Sequence, residues 1–195
     1  MAVSLEKGQK ISLSKDASGN STGLRNVIVG LGWDAAKRGL FGGRSIDCDA
    51  SVILLQGGRF VSDKDLIYYG HKDHKSGAVH HCGDNLTGDG DGDDEQIIID
   101  LDRVPAEYDK IVVVVNIYQA EARKQDFGLI QNAFMRIVNK DNNQEFARFN
   151  LSDNYAGMTA MVFGELYRHN GEWKMNAIGQ GTQDGSVSQL VRRYQ

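Results

Sequence analysis

The chain has 195 residues and carries 22 Lys and Arg against 26 Asp and Glu, a formal charge of −4. A chain of this length buries roughly 70% of the surface that its unfolded form exposes, so it folds without a disulfide or metal staple, and two cysteines make no covalent framework. The charge excludes a general pull toward nucleic acid; the start Met1–Lys7 lacks an apolar signal core and the longest apolar run is Ile111–Val115, so a cytoplasmic protein is expected.

Glycine is abundant (23 residues) and Pro105 is the single proline. Short β-branched and aromatic runs alternate with Gly, Asn and Asp clusters, the pattern of strands joined by turns. In chain order the predicted strands are Ile11–Leu13, Val27–Leu31, Ser51–Leu55, Leu66–Tyr69, Val79–Cys82, Ile97–Leu101, Ile111–Tyr118, Ala133–Val138, Glu145–Leu151, Ala160–Tyr167 and Trp173–Ile178. Asn139–Gln144 joins two of them as a hairpin, and Asn170-Gly171 is the preferred pair for a tight turn with positive φ. Ile111–Val115 has no polar face and reads as a central strand covered on both sides. After Asp47, one face carries Cys48, Ala50, Val52 and Leu54, and the other begins with Asp47, Asp49 and Ser51. Helix is scarce: Val187, Leu190, Val191 and Tyr194 fall at helical spacing, with Ser186 placed to cap them. The expected fold is all-β, a two-sheet antiparallel sandwich with a few short helices, in one domain spanning 1–195.

The strongest chemical signal is the segment Gly83–Glu95. From Asp84 to Asp102 there are eight acidic residues and no basic one, and five carboxylates fall between Asp89 and Glu95. Folding would hold these like charges close together, and a hard cation relieves that repulsion by direct coordination. The donors are oxygens, and the interleaved glycines let backbone carbonyls turn inward, which suits calcium better than magnesium or zinc. The candidate ligands in the loop are Asp84, Asn85, Leu86, Gly88, Asp89, Asp91, Asp93, Asp94 and Glu95. The loop is not an EF-hand: counted from Asp89, the glycine position holds Asp94, the twelfth holds Asp100, and strands rather than helices flank it.

The same loop resembles the signature of the TerD-type tellurium-resistance and stress-response proteins. Gly30-Leu31-Gly32-Trp33-Asp34, Asp47-Cys48-Asp49-Ala50-Ser51, Asn132-Ala133-Phe134, Ala160–Arg168 and Gly171–Lys174 match in the family's order across nearly the whole chain. The resemblance implies a calcium-binding β-sandwich encoded in bacterial stress operons, without enzymatic activity and with more than one calcium ion. It further implies partners among other stress-operon proteins, membrane-associated ones included, and no nucleic acid. Asp34, Asp47 and Asp49 match the positions from which that family brings further acids beside the loop.

One stretch departs from the family pattern. His71–Cys82 holds four of the five histidines together with Cys82, a composition that could form a soft-metal site from His71, His74, His80 and Cys82. Alternation along a strand sends His80 and His81 to opposite faces, which argues against it. Val27–Ala35 also imitates a dinucleotide fingerprint, but the residues after it cannot sustain a crossover helix. Two alternatives to a calcium-binding stress protein remain at this level: a calcium-dependent membrane-docking module and, more remotely, a metal-assisted hydrolase.

Overall fold

The computed structural model describes residues 2–16, 18–35, 46–83 and 92–195. Twelve strands are seen among them: β1 (Val3–Leu5), β2 (Lys10–Ser12), β3 (Asn26–Ala35), β4 (Cys48–Leu55), β5 (Leu66–Ile67), β6 (Val79–His81), β7 (Glu95–Asp100), β8 (Lys110–Ile117), β9 (Ile130–Asn139), β10 (Gln144–Asn150), β11 (Ala160–His169) and β12 (Glu172–Thr182). They form two six-stranded sheets, ordered β1-β10-β9-β3-β7-β6 and β2-β12-β11-β8-β4-β5. Every neighbouring pair is antiparallel except β1 with β10, which is parallel. The fold is the expected all-β sandwich, with β1 an edge strand of three residues, too short to announce itself by pattern.

The inward faces of the two sheets form one core. Val27, Val29 and Leu31 of β3 and Ile97 and Ile99 of β7 meet Val113 and Val115 of β8 and Phe163 of β11 within it. The second sheet buries its outer face as well. There Ile53, Leu55, Val112 and Val114 lie under Leu190 and Val191 of the helix α2 (Val187–Arg192), with α1 (Ala120–Arg123) the other, shorter α-helix. This double burial is why Ile111–Val115 is apolar without alternation. Ser186 caps α2 by accepting from the Gln189 N–H, and the Asn170-Gly171 turn has φ of 53° and 77°, both positive as its sequence requires.

Two predicted strands are shorter than expected. β5 stops at Ile67, because Tyr68 turns back to bridge His71, and β6 stops at His81. β3 instead runs on to Ala35, so Trp33 and Asp34 lie on a strand. Opposite Trp33, two residues of β9 (Asn132 and Ala133) face one of β3, and Asn132 takes φ of 53°. This bulge re-aims the strand end beside the acidic loop. Among the described residues no helix is long and apolar enough to cross a membrane.

Candidate metal site at the acidic loop

Asp84, Asn85, Leu86, Gly88, Asp89 and Asp91 lie outside the described residues. The two ends of their loop are described, and each is fastened differently. At the entry, the buried His81 takes the Gly83 N–H on Nδ1 (3.1 Å), so its proton sits on Nε2, which donates to the Ala50 carbonyl (3.1 Å). At the exit, the buried Glu95 accepts the Ala50 N–H at 2.6 Å. β5 pairs only with Val52 and Ile53, so Ala50 stands beyond the end of that pairing, and the first sheet reaches across to occupy its backbone groups.

Asp93 is fastened by charge. Its fully buried carboxylate takes a two-pronged bond from Arg136, with Nε to Oδ1 at 2.7 Å and Nη2 to Oδ2 at 3.1 Å, and a third from Gln96 at 3.0 Å. Arg136 passes on to Glu145 at 3.1 Å, and Glu145 to Arg148 at 3.0 Å. Arg148, and secondarily Arg136, hold the Glu145 carboxyl below its usual range, while the bond to Asp93 raises Arg136 further. Gly30 makes this geometry possible. It stands in a cross-strand row between Gln96 of β7 and Arg136 of β9, and a methyl group there would overlap the Asp93 carboxylate. Gly32 likewise makes room for the Phe134 ring and the Gly92 carbonyl. The Gly-x-Gly of β3 is therefore a flat bed on which the loop exit lies.

Asp94 turns the other way. Its N–H donates to the Leu31 carbonyl and its Oδ2 accepts from the Trp33 N–H, both at 2.7 Å. It joins Asp34, Gly92 and Asn132 on the wall of an open cavity of about 510 Å³. The Asn132 amide donates to Asp34 at 2.7 Å, an orientation set by the β9 bulge.

The two remaining candidates lie elsewhere. Asp47 pairs with Arg123 (3.3 Å) through one oxygen, while its buried Oδ1 has no hydrogen-bond partner among the described residues. Asp49 faces outward from the second sheet, next to Asn116. The intervening Cys48 points inward, and burial, reinforced by the charges of Asp49, Glu95, Asp47 and Asp94, pushes its thiol well above the ordinary cysteine range. It is an inert core thiol.

The histidine stretch is dispersed. His71 bonds the Leu66 carbonyl, His80 meets Asp73 on the surface, His81 lies inside, and His74 is buried between Ser76 and Asp65. Among the described residues, no three His, Cys, Asp or Glu side chains are grouped to hold a metal ion. Sequence reasoning missed the partners of the acids: Arg136, Gln96, Glu145 and the Trp33 N–H. Only the tandem glycines of β3 signalled that something would lie against that strand.

The TerD domain family model matches residues 1–194 of this sequence. The chain belongs to the TerD domain family. It is 52% identical over 202 aligned residues to the stress response protein SCP2 of Bacillus subtilis (strain 168), covering all of both chains. It is 51% identical to the tellurium resistance protein TerD of Serratia marcescens, covering 96% of this chain and 95% of that one. A crystal structure of a homologue of telluride resistance protein (TerD) from Streptomyces coelicolor A3(2) superposes with a TM-score of 0.64 at 22% identity, over 85% of this chain and 95% of that chain. That likeness speaks for the shared fold.

Proposed function

We propose that this TerD-family chain is a calcium-binding, non-enzymatic stress protein, whose ion-ordered loop is presented to protein partners. The observation that carries the reading is the split among the acids at the loop exit. Asp93 and Glu95 are spent on anchoring, whereas Asp94 and Asp34 share the wall of one cavity with Gly92. The chemistry of that wall fits calcium. Asp34, Asp94 and the Asn132 amide offer hard oxygen donors beside a glycine, with Arg148 the one cation on the same wall, and Gly92 follows in sequence the segment holding Asp84, Asp89 and Asp91. When bound, the ion would offset the repulsion of carboxylates held this close. The chain's own part is to fix both loop ends, through Ala50 on one side and Arg136 on the other. A non-enzymatic role is supported by the state of the nearest reactive groups. Cys48 is held as a thiol, and both ring nitrogens of His81 are engaged.

Titration calorimetry with calcium and with magnesium tests this, paired with melting curves. Calcium is expected to bind and raise the melting temperature, and the Asp89→Asn, Asp91→Asn double variant to lose both effects. Unchanged melting and no heat with calcium would end the reading.

A further inference from the structure

The cavity of about 510 Å³ beside the loop exit has two chemically different ends. Asp34 and Asp94 mark one, along the end of β3. The other lies on β10, where Arg148 and Asn150 stand two residues apart and so share a face of the strand. Phe134 of β9 sits between them, opposite Gly32 on one side and Asn150 on the other. From β3 to β10 the backbone span is roughly 10 Å, twice the spacing of neighbouring strands. A single calcium ion, with oxygen contacts of about 2.4 Å, fills only the acid end.

The β10 end keeps hydrogen-bond donors in hand. Glu145 occupies one edge of the Arg148 guanidinium, accepting from Nε at 3.1 Å and from Nη2 at 3.0 Å. Nη1 has no partner among the described residues, and a guanidinium presents five N–H groups in all. The head is steadied by the Phe134 ring, whose centroid lies 4.0 Å from the guanidinium carbon. The arginine side chain is 32% exposed, which puts the unspent protons within reach of a ligand. Asn150 is exposed as well, and its side-chain amide makes no hydrogen bond among the described residues.

Charge decides what this end accepts and when. Asp93, Arg136, Glu145 and Arg148 form a row of alternating sign that cancels. With no ion bound, the carboxylates of Asp34 and Asp94 on the same wall therefore repel an anion. Calcium beside them reverses the sign, and the free N–H groups of Arg148 and Asn150 then favour an acceptor. A phosphate carries close to two charges and three oxygens, and proteins meet it with clusters of arginines. This end supplies one guanidinium with an edge already taken. A planar, singly charged carboxylate matches what is left.

We propose that the β10 end of the cavity receives a carboxylate from an acidic side chain of a partner protein when calcium occupies the acid end. The carboxylate takes the free N–H groups of Arg148 and the Asn150 amide, on the side of the cavity away from Asp34 and Asp94. The inference rests on the calcium reading above and supplies the chemistry of its partner.

The test is an NMR titration of the full chain in calcium and again in chelator, following the Asn150 side-chain amide and the Arg148 Nε–H. The probe is an acetylated peptide amide containing glutamate; the same peptide with glutamine, and glycerol phosphate, are the comparisons. Saturable shifts are expected with the glutamate peptide in calcium, and binding at least about tenfold weaker in chelator or with the glutamine peptide. Coupling is reciprocal, so in calorimetry the glutamate peptide should tighten calcium by the factor by which calcium tightens the peptide. Arg148→Gln should weaken the peptide about tenfold, the equivalent of one charge-assisted contact. Asn150→Ala breaks no side-chain contact, so it should keep the parent's melting temperature in chelator while weakening the peptide about threefold. Calcium heat without peptide shifts would overturn this inference and leave the calcium reading standing, whereas no calcium heat would overturn both. Peptide binding indifferent to chelator or to both substitutions, or tighter binding of glycerol phosphate, would overturn it as well.

Discussion

Asp93 and Asp94 are neighbours in sequence and opposites in use. Asp93 is sealed under the first sheet's outer row by Arg136 and Gln96, and Asp94 lies along the end of β3 with its carboxylate on a cavity wall. The difference shows that an acidic run is not a set of equivalent ligands. Some carboxylates are structural, and their partners sit on strands far away in sequence. If that division is right, disturbing Asp93 should cost stability and disturbing Asp94 should cost affinity.

The largest effect is expected from Arg136→Ala. Removing one partner of a buried ion pair strands the other charge, and a loss of about 3 kcal/mol in unfolding free energy is anticipated from chemical denaturation. Adding Asp93→Asn to that variant should restore part of the loss, because the stranded charge is gone. A loss under about 1 kcal/mol would show that Asp93 is not held in this way. Gly30→Ala comes next, at about 2 kcal/mol, since the new methyl group occupies the space of the Asp93 carboxylate. Combined with Arg136→Ala its effect should be less than additive, because both break the same contact. Simple additivity would separate the glycine from the ion pair.

A smaller effect concerns the turn before the loop. Burial pushes the His74 imidazole below its ordinary pKa, opposed by Asp65 and aided by Lys75 and His71, with the Tyr108 ring against it. A histidine kept neutral in the folded state stabilises it fully above the unfolded value near pH 6.5, and that contribution is lost as pH falls through the folded value. Melting temperature should therefore decline below about pH 6.5. His74→Gln, which cannot charge, should flatten the curve in that window. An unchanged slope would remove His74 as its source.

Much of this fold was legible in advance, for reasons that particular residues explain. The alternation after Asp47 placed Cys48, Ala50, Val52 and Leu54 inside, and the unbroken run at Ile111 announced a strand buried on two faces. What could not be read was pairing across distance. Arg136 is an ordinary charge in a strand until Gly30 brings Asp93 above it, 43 residues apart along the chain. The exposed-looking pair Asp47 and Asp49 was also ambiguous, because alternation fixes a face but not what covers it. The structure gives Asp47 to Arg123 and Asp49 to a cavity beside α2.

The smallest effect on stability, and the sharpest on function, is expected at the cavity wall by the loop. Asp94→Asn retains an oxygen for the Trp33 N–H, and Asp34 is exposed, so Asp34→Asn disturbs no core. Without calcium each should change stability by no more than about 0.5 kcal/mol. With calcium each should reduce the ion-induced rise in melting temperature, because a ligand stabilises only in proportion to its affinity for the folded state. Arg136→Ala makes the opposite pattern, with a large loss in chelator. Should the Asp34 and Asp94 variants respond to calcium as the parent does, the ion would be held wholly by the residues between Gly83 and Gly92. The cavity wall would then serve only to seat the loop, and Asp94 would join Asp93 as an anchor.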